Sequence, residues 1–535
     1  MHKVNALVNR IKENLLKFSS QSFWDKCDSL SFLLFVLFFI DCSFSGGGKY
    51  LAIGPVTFRM IVAVSAFILS IPKLLLNLKK YIKNPIFYMF FAFLLWLIFS
   101  AVTGLKAGNN MNVLMSDLKG FMWLFTVPGL VVTVSNKKRF ECILSAIVAG
   151  AFIQAMIVLC IHFGCCLLDE GIGYFYKPVF NLQIGTVNTI SSTVFRIFMR
   201  SSPYMILACS IVFFRQLKEE KLRLRYIFAI VLFIFCILLS FTRSLFGGLF
   251  VVFFCMVMSV LIFYRKKAAF MLKTLASVLV AFLLCVGVME YIFDASYLNF
   301  AVSRTFGTPV QQSLVVKAKY ELKNINWQNL FDSGVTTEEN SEASTEPATE
   351  KPSDEVTTDE ELPDYAEATT AILTENTTAE ESSTEDKNQD QIISDSQNQQ
   401  DYMQQTSNSD AVRDITTQEL KALIKKSPII GNGLGACSET RNGPDEYFYY
   451  DIIARMGMIG LLLYVMPFVY VCICMLKKRA MLRSNMGAVA LICGVTGFWA
   501  VTWFNPWMNA VLGIAVYALS CSIVETFNNE NQNKK

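Results

Sequence analysis

LRYIFAIVLFIFCILLSFTRSLFGGLFVVFFCMVMSVLIFY, residues 224–264, is two long apolar runs joined at Ser240-Phe241-Thr242-Arg243. Each half approaches the roughly 20 apolar residues that cross a bilayer's hydrocarbon core. Lys221 and Arg223 stand before the first half, and Arg265, Lys266 and Lys267 follow the second. Two spans with basic feet and a short connection between them form a membrane hairpin, because cations collect on the cytoplasmic side of short loops. The connection itself carries one cation, Arg243, on the side where cations are scarce.

The same pattern extends along the chain. Of its 535 residues 53% are hydrophobic and only 17% charged, a balance that disfavours a soluble protein of this length. Spans are expected at 30–44, 55–72, 84–103, 118–134, 140–164, 203–216, 224–241, 245–264, 268–289, 446–476, 484–503 and 507–526. The expected fold is therefore all-α, a polytopic membrane bundle of about 12 helices with one large extracytoplasmic loop. The basic start leads into 30–44 with no small-residue cleavage site, so that span is expected to stay as a signal anchor.

Charge supplies the orientation. With a cytoplasmic N-terminus, the inner loops are 73–83, 135–139, 217–223, 265–267 and 477–483, and every one is basic. The outer loops 45–54 and 104–117 hold few cations. The chain then divides into a cytoplasmic segment 1–29, a membrane bundle 30–289, an extracytoplasmic loop 290–445, membrane helices 446–526 and a cytoplasmic tail 527–535. Within the large loop, 335–410 holds 21 Asp and Glu against Lys351 and Lys387, in a chain of net charge +4. This Thr/Ser/Glu-rich insert buries too little apolar surface to offset its ordering entropy, and disorder is expected there. The basic remainder follows the positive-inside rule and calls for no nucleic acid.

Three features carry chemistry. The first is Ser-Pro-Ile-Ile-Gly-Asn-Gly-Leu-Gly at 427–435, where Pro428 stops a helix and Gly431, Gly433 and Gly435 permit positive φ and close approach to a ligand. Its plain alternative is a turn leading into the membrane. The second is Asp445-Glu446-Tyr447-Phe448-Tyr449-Tyr450-Asp451, followed by Arg455-Met456-Gly457-Met458-Ile459-Gly460. Acids at a span mouth usually face a cavity or a partner, although the tyrosines also suit an interfacial belt. The third is a set of outward arginines: Arg196, Arg200, Arg243, Arg304 and Arg413. Guanidinium forks fit phosphate oxygens, and the alternatives are structural ion pairs or snorkelling to headgroups.

Other chemistries find little support. The two histidines are His2 in the tail and His162 inside an apolar run, where a packing role is the simpler one. The 15 cysteines lie mostly in apolar runs and show no metal-site spacing. There is no phosphate-binding loop for a nucleotide.

Taken together, Thr242-Arg243-Ser244, the large outer loop before the third-last span, the Arg413 region, 427–435 and Glu446 through Leu462 resemble the O-antigen ligase and Wzy-type polysaccharide polymerase family. These are membrane glycosyltransferases of the GT-C type. Counted back from Gly457, the family's His position is Glu446 and its Asn position is Tyr447, a departure within an otherwise matching glycine pattern.

The resemblance implies glycosyl transfer in the bacterial cytoplasmic membrane, on its outer side, without metal or other cofactor. The donor would be an undecaprenyl-diphosphate-linked oligosaccharide and the acceptor a glycan. Membrane lipids and other polysaccharide-export proteins would be the remaining partners. Glu446 and Arg243 would be catalytic; Arg196, Arg200, Arg304, Arg413 and the three loop glycines would bind substrate. Polymerisation of repeat units is expected ahead of ligation. A flippase or solute transporter is the alternative class, although no internal repeat or matched pair of interrupted spans is evident.

Overall fold

A computed structural model describes residues 22–46, 52–53, 56–168, 171–190, 193–219, 221–306, 411–440 and 447–532. The acidic insert 335–410 and Glu446 lie outside these residues. In chain order the helices are α1 (Phe23–Ser45), α2 (Phe58–Leu76), α3 (Leu78–Ile82), α4 (Pro85–Lys106), α5 (Met111–Met122), α6 (Thr126–Thr133) and α7 (Lys137–Leu167). Next come α8 (Gly171–Asn181), α9 (Ser202–Lys218), α10 (Leu224–Leu239), α11 (Arg243–Phe263), α12 (Ala268–Phe293) and α13 (Tyr297–Phe306). The chain closes with α14 (411–426), α15 (Phe448–Lys477), α16 (Arg479–Ser484), α17 (Met486–Val501) and α18 (Val511–Gln532).

Helix occupies every stretch expected to span. Among the described residues, seven helices are long and apolar enough to cross a membrane: α1, α2, α4, α7, α11, α15, and α12 with the turn before it. Three shorter apolar helices cover 224–239, 486–501 and 511–526. The protein is thus a membrane-type helix bundle. Polar caps set many of the boundaries: Thr57, Asn84, Asn110 and Asn136 each accept a backbone N–H in the first turn of the helix that follows.

The structure departs from the expected layout in three places. The stretch 118–134, expected as one span, is broken into α5, a 3₁₀ turn at Trp123–Phe125, and α6. The segment 165–202, which joins two expected spans, holds α8 and an antiparallel pair, β3 (Gly185–Thr189) with β4 (Phe195–Met199), following the shorter pair β1 (Ala52–Ile53) and β2 (Val56–Thr57) ahead of α2. In β4, Phe195, Ile197 and Met199 are buried and Arg196 and Phe198 are half-buried, the two-residue alternation of a one-sided strand. Finally, α1 begins at Phe23 instead of residue 30, with Ser22 accepting from Asp25 N–H.

Helix α9 forms the centre. Almost every residue from Ser202 to Leu217 is buried, which suits a helix that is apolar all round. It packs against α7, α10, α11 and α17. Gly494 of α17 lies against Leu207, and Gly497 lies against Gly248 of α11 and Ile206, so small residues bring these helices close. The few polar groups are matched: Ser210 Oγ donates to the Ala490 carbonyl (2.8 Å) and Tyr204 Oη to that of Leu512 (2.9 Å).

The five basic loops meet at one end of the bundle. Asp28 binds both Lys73 (3.0 Å) and Arg139 (2.7 Å), Lys267 Nζ donates to the Leu217 carbonyl, and Tyr264 Oη donates to that of Leu482 (2.6 Å). The opposite end gathers the segments around 44–46, 104–110, 184–201, 240–244, 294–297, 427–436 and 502–510: Ser201 Oγ donates to the Phe44 carbonyl (3.1 Å) and Thr193 Oγ1 to that of Asp294 (3.3 Å), with further contacts described below.

Candidate functional site

At that opposite end the glycine-rich segment and the head of α15 are built as one unit. Gly457 stands inside α15 at φ 69° and ψ −178°, so the helix is broken there. In an unbroken helix the Ala454 and Arg455 carbonyls would accept from Met458 and Ile459 N–H. Instead they accept from Asn432 and Gly433 N–H, both at 2.9 Å. Met458 and Ile459 in turn donate to the carbonyls of Pro428 (3.0 Å) and Ile429 (3.2 Å). Two pairs of helical hydrogen bonds have exchanged partners between 428–433 and 454–459. The four N–H groups and four carbonyls of this exchange are all paired, as irregular backbone at membrane depth requires.

Neighbouring helices complete the joint. Trp96 Nε1 donates to the Met456 carbonyl (2.9 Å), and Ser100 Oγ to that of Arg455 (3.2 Å). Asn109 Nδ2 lies within 3.0–3.3 Å of three successive carbonyls, Asn432, Gly433 and Leu434. Leu434 N–H donates to Ser100 O (3.0 Å).

Gly431, Gly433 and Gly435 have φ of 83°, 88° and 82°, where side chains are disfavoured. A Cβ at Gly431 would strike the Arg455 carbonyl and Gly457 N; at Gly433 it would strike Gly104; at Gly435, Asn110 O and Leu114. The protein's own backbone fills the space beside each glycine. All three glycines therefore seat the loop against the rest of the protein.

Under the loop lies a buried charge cluster. Arg455 pairs with Asp117 through Nη1 and with Asp451 through Nη2 (2.7 Å), all three side chains being 3% exposed. Arg455 Nε donates to the Ala436 carbonyl (2.9 Å), and the second Asp117 oxygen accepts Gly435 N–H (3.0 Å). Asp117 comes from α5, Arg455 and Asp451 from α15. The cluster therefore clamps the loop's far end to two helices. Asp117, Trp96, Ser100 and Asn109 were not singled out in the sequence; only the isolated acid ahead of an apolar run hinted at the first.

The arginines fall in two groups. Arg196, on β4, donates through Nε to the Ser240 carbonyl (3.2 Å), three residues before Arg243, and stacks by the Phe198 ring (5.9 Å). Arg243 is exposed in the first turn of α11. Ahead of it, Phe241 is buried at φ 44°, a left-handed conformation that costs a non-glycine residue about 1–3 kcal/mol. Ser244 Oγ accepts from Asn505 Nδ2 (2.9 Å), and Phe504 meets the Tyr447 ring (6.3 Å). Trp507 meets Phe198 (6.3 Å). Segment 504–507 thus links Arg196 and Arg243 to the residue directly after Glu446. Exposed Arg200 closes the hairpin beside them, its N–H bonded to Ile184 O (2.9 Å).

The second group stands apart in sequence. Arg413 is half-buried near the start of α14, ten residues before Leu423, whose carbonyl accepts from Asn432 Nδ2 (2.8 Å). Along a helix that is about 15 Å from the glycine loop. Arg304 belongs to α13, a helix anchored by the Glu290 carboxylate accepting Leu298 N–H (3.0 Å), and nothing is described of its side chain. His162 is fully buried and bonded to Tyr297 Oη (3.0 Å) among Phe163, Phe235 and Phe293, the expected packing role. Among the described residues, no group of three or more His, Cys, Asp and Glu is arranged to hold a metal ion.

The fold and the site define an all-α membrane helix bundle with a spliced helix break at one end. Compared with known proteins, the chain matches no family model and no curated protein.

Proposed function

We propose that the protein is a membrane glycosyltransferase that moves a glycan from a polyprenyl-diphosphate carrier to an acceptor sugar on the outer side of the bacterial cytoplasmic membrane. Polymerising the repeat units of a surface polysaccharide is its main reaction in this reading. The chain would cross the membrane about 12 times with both termini inside. One observation carries the reading. Arg196 donates to the Ser240 carbonyl, so two cations, Arg196 and Arg243, share the end of the bundle opposite the five basic loops. Cations on that face run against the positive-inside rule, and their guanidinium forks suit a lipid-linked diphosphate at a membrane surface.

The chemistry follows. The acceptor hydroxyl attacks the anomeric carbon, the bond from that carbon to the diphosphate breaks, and the hydroxyl proton passes to the Glu446 carboxylate. Negative charge grows on the departing diphosphate, and Arg243 and Arg196 stabilise it. The broken helix at Gly457 argues against the transporter alternative. In transporters such breaks offer carbonyls to a coupling ion, whereas the carbonyls of 454, 455 and 456 each accept from a donor of the protein itself.

The test is a deletion strain complemented with Arg243→Ala or Glu446→Gln. Loss of long polymer with accumulated single repeats is expected for both. Unchanged polymer with both variants would overturn the reading. Polymer stranded on its carrier would mean ligation, and flipping of lipid-linked glycan in liposomes without transfer would mean transport.

A further inference from the structure

The basic end of the bundle contains a cavity of about 600 Å³ between the start of α7, the end of α9, the start of α10 and the start of α17. It lies a full helix length from the arginines discussed above: α9, which runs from Ser202 to Lys218, spans about 25 Å. Lys137, Arg215, Lys218 and Arg483 line it, against two acids, Glu141 and Glu219. Glu219 is already engaged by Arg223 (3.4 Å), and Arg225 stands 4.0 Å from its other oxygen. The Glu141 carboxylate is packed against Gly487 in the first turn of α17. Arg215 spends one Nη2 hydrogen bond on a neutral partner, Ser145 Oγ (2.7 Å), and among the described residues Arg215, Lys218 and Arg483 form no ion pair. The lining therefore carries an excess of two positive charges.

A second observation points into the same space. Asn485 lines the cavity and is 1% exposed; its Oδ1 caps α17 by accepting Ala488 N–H (3.4 Å). Its Nδ2 finds no acceptor among the described residues. A buried amide donor without an acceptor is costly, and the cost is removed if an acceptor oxygen enters the cavity. Cationic forks, a point-charge lysine and a waiting N–H donor are the recognition set of a phosphate oxyanion. Phe214 and Tyr226 line the same cavity and give it an amphiphilic character. Basic pockets between helices at the basic face of a membrane protein suit the headgroups of anionic lipids.

We propose that this cavity binds a phosphate-bearing anion, the headgroup of an anionic phospholipid, through Arg215, Lys218 and the Asn485 amide. The proposal does not depend on the glycosyl-transfer reading. It is tested on the full-length protein in detergent by native mass spectrometry, with phosphatidylglycerol and phosphatidylcholine as lipid probes and glycerol 3-phosphate as the soluble probe. Wild type should retain phosphatidylglycerol in preference to phosphatidylcholine. Arg215→Gln/Lys218→Gln should weaken that retention by about 30-fold, roughly fivefold for each cation. Asn485→Ser keeps a capping acceptor and replaces the Nδ2 donor with a shorter hydroxyl that does not reach as far into the cavity, so it covers the case in which the double variant fails to fold. It should lower retention by about fivefold. Displacement of the lipid by glycerol 3-phosphate would keep the phosphate site and assign it to a soluble phosphoester. Wild-type retention in a folded double variant or in Asn485→Ser would overturn the proposal, as would equal retention of the two lipids.

Discussion

Gly433 donates its N–H to the Arg455 carbonyl at 2.9 Å, taking the place that Ile459 holds in an unbroken helix. With the Asn432–Ala454 bond beside it, this makes the 427–435 loop part of the backbone of α15. Gly433→Ala should therefore damage a membrane helix and not merely a loop. The new Cβ would meet the Gly104 backbone at φ 88°, so destabilisation of about 1–3 kcal/mol is the minimum expected. Thermal unfolding in detergent measures it. A variant as stable as wild type would show that the loop is not spliced into the helix.

Arg455 sits between Asp117 and Asp451, and all three side chains are buried. Removing the cation alone leaves carboxylates buried without their partner, which typically costs about 3–5 kcal/mol. Arg455→Met is expected to fall in that range. Adding Asp117→Asn should recover part of the loss, because the stranded charge is then gone. A double-mutant cycle on unfolding free energy reads the coupling, and simple additivity would contradict it.

Asn109 offers Nδ2 to three consecutive carbonyls, those of Asn432, Gly433 and Leu434. Asn109→Ala removes the donor and should cost about 1–3 kcal/mol. Asn109→Asp keeps the shape but turns a carboxylate oxygen towards those carbonyls, so it should be the worse of the two. Melting temperatures of the pair decide it, and the reverse order would remove Asn109 from the joint.

The fold was legible because a bilayer imposes a length on each helix and a sign on each short loop. The hairpin 224–264 shows both, and helices Leu224–Leu239 and Arg243–Phe263 match it closely. The break between α5 and α6 was hidden, since 118–134 is mostly apolar with Lys119 its one charge, and hydropathy says nothing about helical continuity. The glycines of 427–435 announced irregular backbone, but their partners did not announce themselves. Gly104, Asn109 and Asp117 are more than 300 residues away, and one sequence carries no record of such pairings. Arg196 stood out as a cation on the side expected to hold few, whereas β4, only five residues long, is too short a run to announce a strand.

Arg196 separates charge from geometry at the end opposite the basic loops. Its Nε donates at 3.2 Å to the carbonyl of Ser240, three residues before Arg243 begins α11. Under the glycosyl-transfer proposal, Arg196→Gln removes one of two charges facing the departing diphosphate. A loss of about 10²–10³ in kcat is expected, the usual scale for one transition-state stabiliser. Arg196→Lys keeps the charge but cannot hold Ser240 and present a fork at once. It should retain intermediate activity, with KM moving less than kcat if the charge acts on the leaving group. Turnover of a synthetic polyprenyl-diphosphate glycan by the purified protein gives both constants. Equal activity of the Gln variant and wild type would place Arg196 in the architecture of the hairpin and leave the diphosphate to Arg243.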